Sequence, residues 1–108
     1  MLIVKQGDLF PDVITTVKDE NGVVVDLTAA TLTFSMRKSR NPTVKVNAQA
    51  GALVDAPNGK IKYSWAGTDT DTPGTYEGEF RIVPSGGADA FKVPTDGYLT
   101  IVIEEKVA

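Results

Sequence analysis

The chain has 108 residues, 42% of them hydrophobic, with 11 basic and 14 acidic side chains and a net charge of -3. That length predicts one domain able to bury its own core without a metal or disulfide, and the apolar share is too high for a disordered chain. The sequence holds no cysteine and no histidine, which excludes thiolate metal sites, cysteine nucleophiles and histidine-based acid–base chemistry.

The chain opens on Met1-Leu2-Ile3-Val4-Lys5-Gln6-Gly7-Asp8. It lacks the basic start and long apolar stretch of a signal peptide, so the mature protein is expected to begin at or near Met1. Within residues 2–10, Leu9 and Phe10 are expected on the surface. Residues 13–18 and 23–26 flank Asn21-Gly22, a dipeptide that supplies the positive φ angles of a tight hairpin. Thr31-Leu32-Thr33-Phe34-Ser35-Met36-Arg37 alternates, with Leu32, Phe34 and Met36 on one face. Arg37-Lys38-Ser39-Arg40-Asn41-Pro42 follows and reads as an exposed hairpin tip. Ala48-Gln49-Ala50-Gly51-Ala52 lacks amphipathicity and contains glycine, so it reads as loop or irregular strand rather than helix.

Pro57-Asn58-Gly59 then introduces Lys60-Ile61-Lys62-Tyr63-Ser64-Trp65, with Ile61, Tyr63 and Trp65 inward. Thr72-Pro73-Gly74 introduces the stretch from Thr75 to Ile82, with Tyr76, Gly78, Phe80 and Ile82 inward. Ser85-Gly86-Gly87 and Asp96-Gly97 precede the last run, whose inward set is Leu99, Ile101 and Ile103. Glycine and proline fall between the alternating runs, as turns require. No window of helical length shows a 3.6-residue period, and no apolar run is long enough to cross a bilayer. These features predict an all-β fold, an immunoglobulin-like antiparallel β-sandwich of roughly seven to nine strands.

Several constellations carry a chemical alternative. Pro73-Gly74-Thr75-Tyr76 suits a tyrosine that folds back onto backbone at a sheet corner, with Gly78 standing where antibody-type domains carry a cysteine. With no disulfide available, packing around Trp65 must do its work, and Trp65, Gly74, Tyr76, Phe80 and Phe34 are the expected structural corner and core residues. Asp69 and Asp71 contain the oxygens calcium prefers, but two aspartates are too few, and a solvated turn is the simpler reading. Glu77 and Glu79 stand about 7 Å apart on one strand face, a separation that overlaps the carboxylate pair of inverting glycosidases. No cleft is expected around them, so they read as a solubility face. Tyr63 and Trp65 would form a sugar platform if exposed, yet their alternation with lysine and serine turns them inward. Gly86-Gly87 has no lysine and no following helix, so it is no phosphate loop.

Charge is unevenly placed. Residues 37–62 hold 6 basic and 1 acidic side chains, whereas residues 63–108 hold 3 basic and 8 acidic. An acidic whole argues against nucleic-acid binding, and no aromatic is interleaved with the basic tip. Arg37, Lys38 and Arg40 are therefore expected to meet an acidic protein surface or water.

The motifs run in a familiar order: Gly7-Asp8, Pro11, Lys18-Asp19-Glu20-Asn21-Gly22, Val25-Asp26-Leu27-Thr28, the Phe34 strand, Gly59-Lys60-Ile61-Lys62-Tyr63-Ser64-Trp65, the stretch from Asp69 to Phe80, and Pro94-Thr95-Asp96-Gly97-Tyr98-Leu99. The series resembles the immunoglobulin-like N-terminal domain of bacteriophage upper baseplate proteins and similar small domains of phage and prophage structural proteins. The resemblance covers nearly the whole chain and implies a non-catalytic virion structural protein, in a tail, baseplate, neck or adaptor, that docks onto other virion subunits in a homo- or hetero-oligomeric assembly. It supplies no catalytic residues and no cofactor, and it implies synthesis in the host cytoplasm. In the family the domain anchors a longer protein, whereas no stalk or tip domain is expected in a chain that stops at Ala108. The expected partner contacts are Arg37, Lys38, Arg40, Leu9 and Phe10. A capsid decoration protein and a carbohydrate- or cell-wall-binding module are the alternatives on the same fold, the latter requiring exposed aromatics for which Tyr98 and Phe91 are the candidates.

Overall fold

The computed structural model describes residues 1–87 and 89–108. Among them nine strands form two facing sheets: β1 (Leu2–Lys5), β2 (Val13–Thr16), β3 (Thr31–Lys38), β4 (Val44–Ala50), β5 (Ala52–Asp55), β6 (Lys60–Tyr63), β7 (Gly74–Val83), β8 (Phe91–Val93) and β9 (Leu99–Glu104). The larger sheet runs β1-β9-β7-β3-β4, with β8 added beside β7; the smaller runs β2-β6-β5. The fold is an all-β sandwich with one departure from the antiparallel expectation. β1 pairs with β9 in parallel, Leu2 opposite Ile101 and Lys5 opposite Glu104. Side-chain alternation specifies which face a residue occupies and is blind to strand direction, so nothing in the Leu2–Lys5 pattern could reveal this.

Period-two patterning translates directly into burial. Leu32, Phe34 and Met36 of β3, Tyr76, Phe80 and Ile82 of β7, Ile61 and Tyr63 of β6, and Ile101 and Ile103 of β9 all lie in one continuous core. Each such apolar side chain contributes about 1.5–3 kcal/mol on leaving water. At the centre Phe34, fully buried, stacks on Tyr63 of the opposite sheet with ring centroids 4.8 Å apart. Phe80, its neighbour across the β3–β7 pair, lies 5.0 Å away. Trp65 meets Phe34 and Tyr63 edge-on, at 6.1 and 5.8 Å, while its indole N–H donates to the Pro11 carbonyl.

Glycine makes two close approaches possible. A Cβ on Gly78 would lie 2.9 Å from both the Phe34 ring and the Ile101 side chain, so hydrogen is the only side chain that leaves Phe34 its place. Gly51 is the single residue between β4 and β5, where the chain crosses from one sheet to the other. A Cβ there would meet Leu32 at 2.6 Å. The stretch 48–52 is thus irregular strand: Ala48 has a positive φ of 49° and the β3–β4 register shifts beside it.

Asn21-Gly22 does turn the chain, but the expected hairpin shrinks to one bridge between Lys18 and Val24. The Asp19 carboxylate accepts the N–H groups of Asn21 and Val23, satisfying locally the donors that a ladder would have used.

Tyr76 sits at the first turn of β7, 2% exposed, and its hydroxyl donates to the Thr72 carbonyl over 2.7 Å. This is the backward bond of a tyrosine corner. Tyr76→Phe leaves that carbonyl without its donor and should cost about 1–2 kcal/mol in urea unfolding at neutral pH. Burial first, and then the Asp69 carboxylate that accepts its hydroxyl proton, push the Tyr63 phenol well above its ordinary value of 10.0; burial also raises that of Tyr76. The native state therefore holds protons that the unfolded chain gives up. Stability from these tyrosines should be complete below about pH 10 and fall as pH rises beyond it, with Tyr63→Phe flattening the fall in a chemical-denaturation series.

Candidate docking end and outer-face cleft

The two surface patches singled out by the sequence meet at one end of the sandwich. The organiser is the corner segment, residues 66–73, which leads into β7. Asp69 accepts the Ala66 N–H and the Tyr63 hydroxyl. Thr70, 1% exposed, donates to the Asp8 carbonyl, and its own carbonyl accepts from Gly7. Gln6 reaches the Asp71 carbonyl. These bonds tie residues 6–8 to the corner, and the neighbouring side chains of Leu9 and Phe10 stand 49% and 77% exposed.

The turn between β3 and β4 is tied to the same segment. Ser39 N–H donates to the Thr75 carbonyl, and Lys45 forms an ion pair with Asp71. That ammonium, then Thr72, hold the Asp71 carboxyl below its ordinary value. Lys38 and Arg40 are exposed. A hollow of about 210 Å³ between turn and corner is lined by Lys38, Asn41, Thr43, Lys45, Thr72 and Tyr76. The carboxylates of Asp69 and Asp71 are engaged with protein groups, and among the described residues no cluster of three acidic side chains is placed to hold a metal ion.

Arg37 belongs elsewhere. It lies within β3 rather than in the turn, half-buried on the outer face of the larger sheet. Its Nε lies 3.1 Å from Glu77 Oε1, its Nη2 donates to the Tyr98 hydroxyl, and its guanidinium carbon lies 5.1 Å from the Tyr98 ring centroid. The cause is register: Arg37 pairs with Glu77 and Ser35 with Glu79. Next to them Lys92 of β8 stands 3.5 Å from Glu79.

Together Ser35, Arg37, Glu77, Glu79, Lys92 and Tyr98 surround a cavity of about 360 Å³. It exists because β7 is longer than its neighbours. Its first half pairs with β9 and its second with β8, and residues 94–98 leave the sheet between them. The expectation that Glu77 and Glu79 stand on an open face without a cleft is therefore corrected. Each carboxylate nevertheless sits beside a cation, the opposite of the desolvated setting in which a carboxyl keeps a proton as general acid.

The remaining residues singled out from the sequence are placed as follows. Trp65, Tyr76, Phe34 and Phe80 are buried, and Gly74 begins β7 beneath the Lys38 side chain. Tyr98 is 47% exposed, whereas Phe91 packs half-buried against the core instead of standing free. Ser35 and Lys92 join the cleft without any mark in the sequence, since only strand register brings them there.

The outer-face pairs are partly solvated, so they orient side chains more than they hold the fold. Arg37→Leu should cost at most about 1 kcal/mol in urea unfolding while releasing the Tyr98 ring, seen as a change in its NMR signals.

A search of the curated proteins found no match. One family model, described as the BppU N-terminal domain, matches residues 4–105. The match runs from within β1 to one residue past β9 and includes the second half of β1, all of β2 to β9, the corner segment and the cleft. The chain belongs to the family of BppU N-terminal domains, a domain of the phage baseplate upper protein.

Proposed function

We propose that this chain is a non-catalytic structural component of a phage virion, one domain throughout, that docks onto neighbouring tail or baseplate subunits through its corner end. The observation that carries the reading is the 77% exposure of Phe10 on a segment fastened to the corner by hydrogen bonds from Thr70, Gly7 and Gln6. A large aromatic held in water on a rigid support offers apolar area at little ordering cost, which is how interface anchors work. Lys38 and Arg40 stand at the same end and favour a partner that pairs an apolar pocket with acidic residues. Such complementarity directs encounter and register more than raw affinity. The family supports placement in the virion and an assembly of several subunits; the identity of the end that docks is this proposal's own.

The test is photo-crosslinking in assembled particles. Benzoylphenylalanine replacing Phe10 or Arg40 should give a crosslink to another virion protein under ultraviolet light. The same group replacing Glu20, which lies in the turn at the far end, should give none. Crosslinks from position 20 alone, or particles that lack the chain, would overturn the reading.

A further inference from the structure

The cleft on the outer face of the larger sheet takes no part in the docking end, and its chemistry points to a ligand of its own. We infer that it is a binding site for a neutral saccharide, accommodating a single sugar ring or a disaccharide unit. Its volume, about 360 Å³, falls at the lower end of the range for small-molecule sites.

Charge comes first. The four ionised groups, Arg37, Lys92, Glu77 and Glu79, sum to zero and are already matched as two pairs. A charged ligand would have to break a pair to gain one, so a neutral ligand is favoured.

Hydrogen-bonding capacity comes next. In each ion pair only the Oε1 oxygen of the glutamate is used, so among the described residues Glu77 and Glu79 each present a second oxygen as acceptor. Ser35 Oγ accepts the Ala48 N–H and keeps its own proton to donate. The Tyr98 hydroxyl accepts from Arg37 and likewise keeps its proton. Lys92, whose side chain is 60% exposed, has further donors on Nζ. Acceptors and donors thus alternate over a small area. Vicinal hydroxyl groups, each donor and acceptor at once, match such a mixture better than a ligand of one kind.

The last element is the aromatic wall. Tyr98 remains 47% exposed, and the Arg37 guanidinium lies over one face of its ring, 5.1 Å from the centroid, so a sugar would take the opposite face. Aromatic faces carry negative charge density and attract the polarised C–H groups of a pyranose ring. The ion pairs therefore act as a scaffold that orients side chains before any ligand arrives, which lowers the ordering cost of binding.

The experiment is an NMR titration of the full chain with glucose, galactose and N-acetylglucosamine separately, with glycine as a zwitterionic control. At least one sugar should give saturable shifts at Ser35, Glu79, Lys92 and Tyr98 with millimolar affinity, and glycine should give none. Tyr98→Ala and Glu79→Gln, both at solvent-accessible positions, should each weaken binding about tenfold or more. Phe10→Ala should leave it unchanged, which separates this site from the docking end. Absence of shifts with all three sugars, equal shifts with glycine, or binding indifferent to both cleft substitutions would overturn the inference.

Discussion

The stack of Phe34 on Tyr63 is the contact on which the rest of the molecule depends. It is a direct aromatic bridge between the two sheets, with Phe80 beside it and Trp65 edge-on against both rings. In a chain without cysteine no disulfide cross-links the two layers, so their separation and offset rest on packing. Close-packed interiors tolerate little change in volume, and Phe34 has its place because β7 offers no side chain at Gly78. A hydrogen atom on one strand and a large ring on the next are thus one device. From it follow the register of β3 on β7, the pairing of Arg37 with Glu77, and the cleft above them.

The hydrophobic half of this arrangement was legible in the residues. Alternation in residues 31–37, 60–65 and 75–82 assigned the inward face of three strands, and Pro73-Gly74-Thr75-Tyr76 signalled the corner whose hydroxyl reaches Thr72. Strand direction and lateral order were not legible, because period two is the same whichever way a strand runs and whichever strand lies beside it. That is why the parallel β1–β9 pair came as a departure, and why Arg37 read as part of a tip. A basic residue at the end of an alternating run looks like the start of a turn until its partner across the sheet is known. The cleft was hidden for the same reason: Ser35, Glu79 and Lys92 are separated widely in the chain, and only the split of β7 between β8 and β9 gathers them.

The molecule divides its chemistry by surface. Between the sheets everything is apolar or internally satisfied, and the corner segment spends its polar atoms on fastening residues 6–8 and the β3–β4 turn. What remains outward falls into two regions of different character. One end presents Phe10 and Leu9 together with Lys38 and Arg40, which carry no ion pair among the described residues, suited to the protein contact proposed for it. The outer sheet face presents matched charges around a half-exposed ring, suited to a small polar ligand. Membership of the BppU N-terminal domain family accords with the first region, since a structural domain of a baseplate must attach to neighbours. The second region needs none of the surface proposed for docking, so the two proposals are compatible on one fold.

The most direct test of the central claim is a double-mutant cycle joining Gly78→Ala and Phe34→Leu, followed by urea unfolding. A methyl group at position 78 clashes with the Phe34 ring and with Ile101, each at 2.9 Å, and shortening residue 34 to leucine removes the ring atoms while leaving the Ile101 contact. The two costs should therefore fall short of their sum by about 1–2 kcal/mol, the size of coupling typical of residues in contact. Strict additivity would mean that the two positions act independently and that the aromatic bridge does not depend on the space left at Gly78.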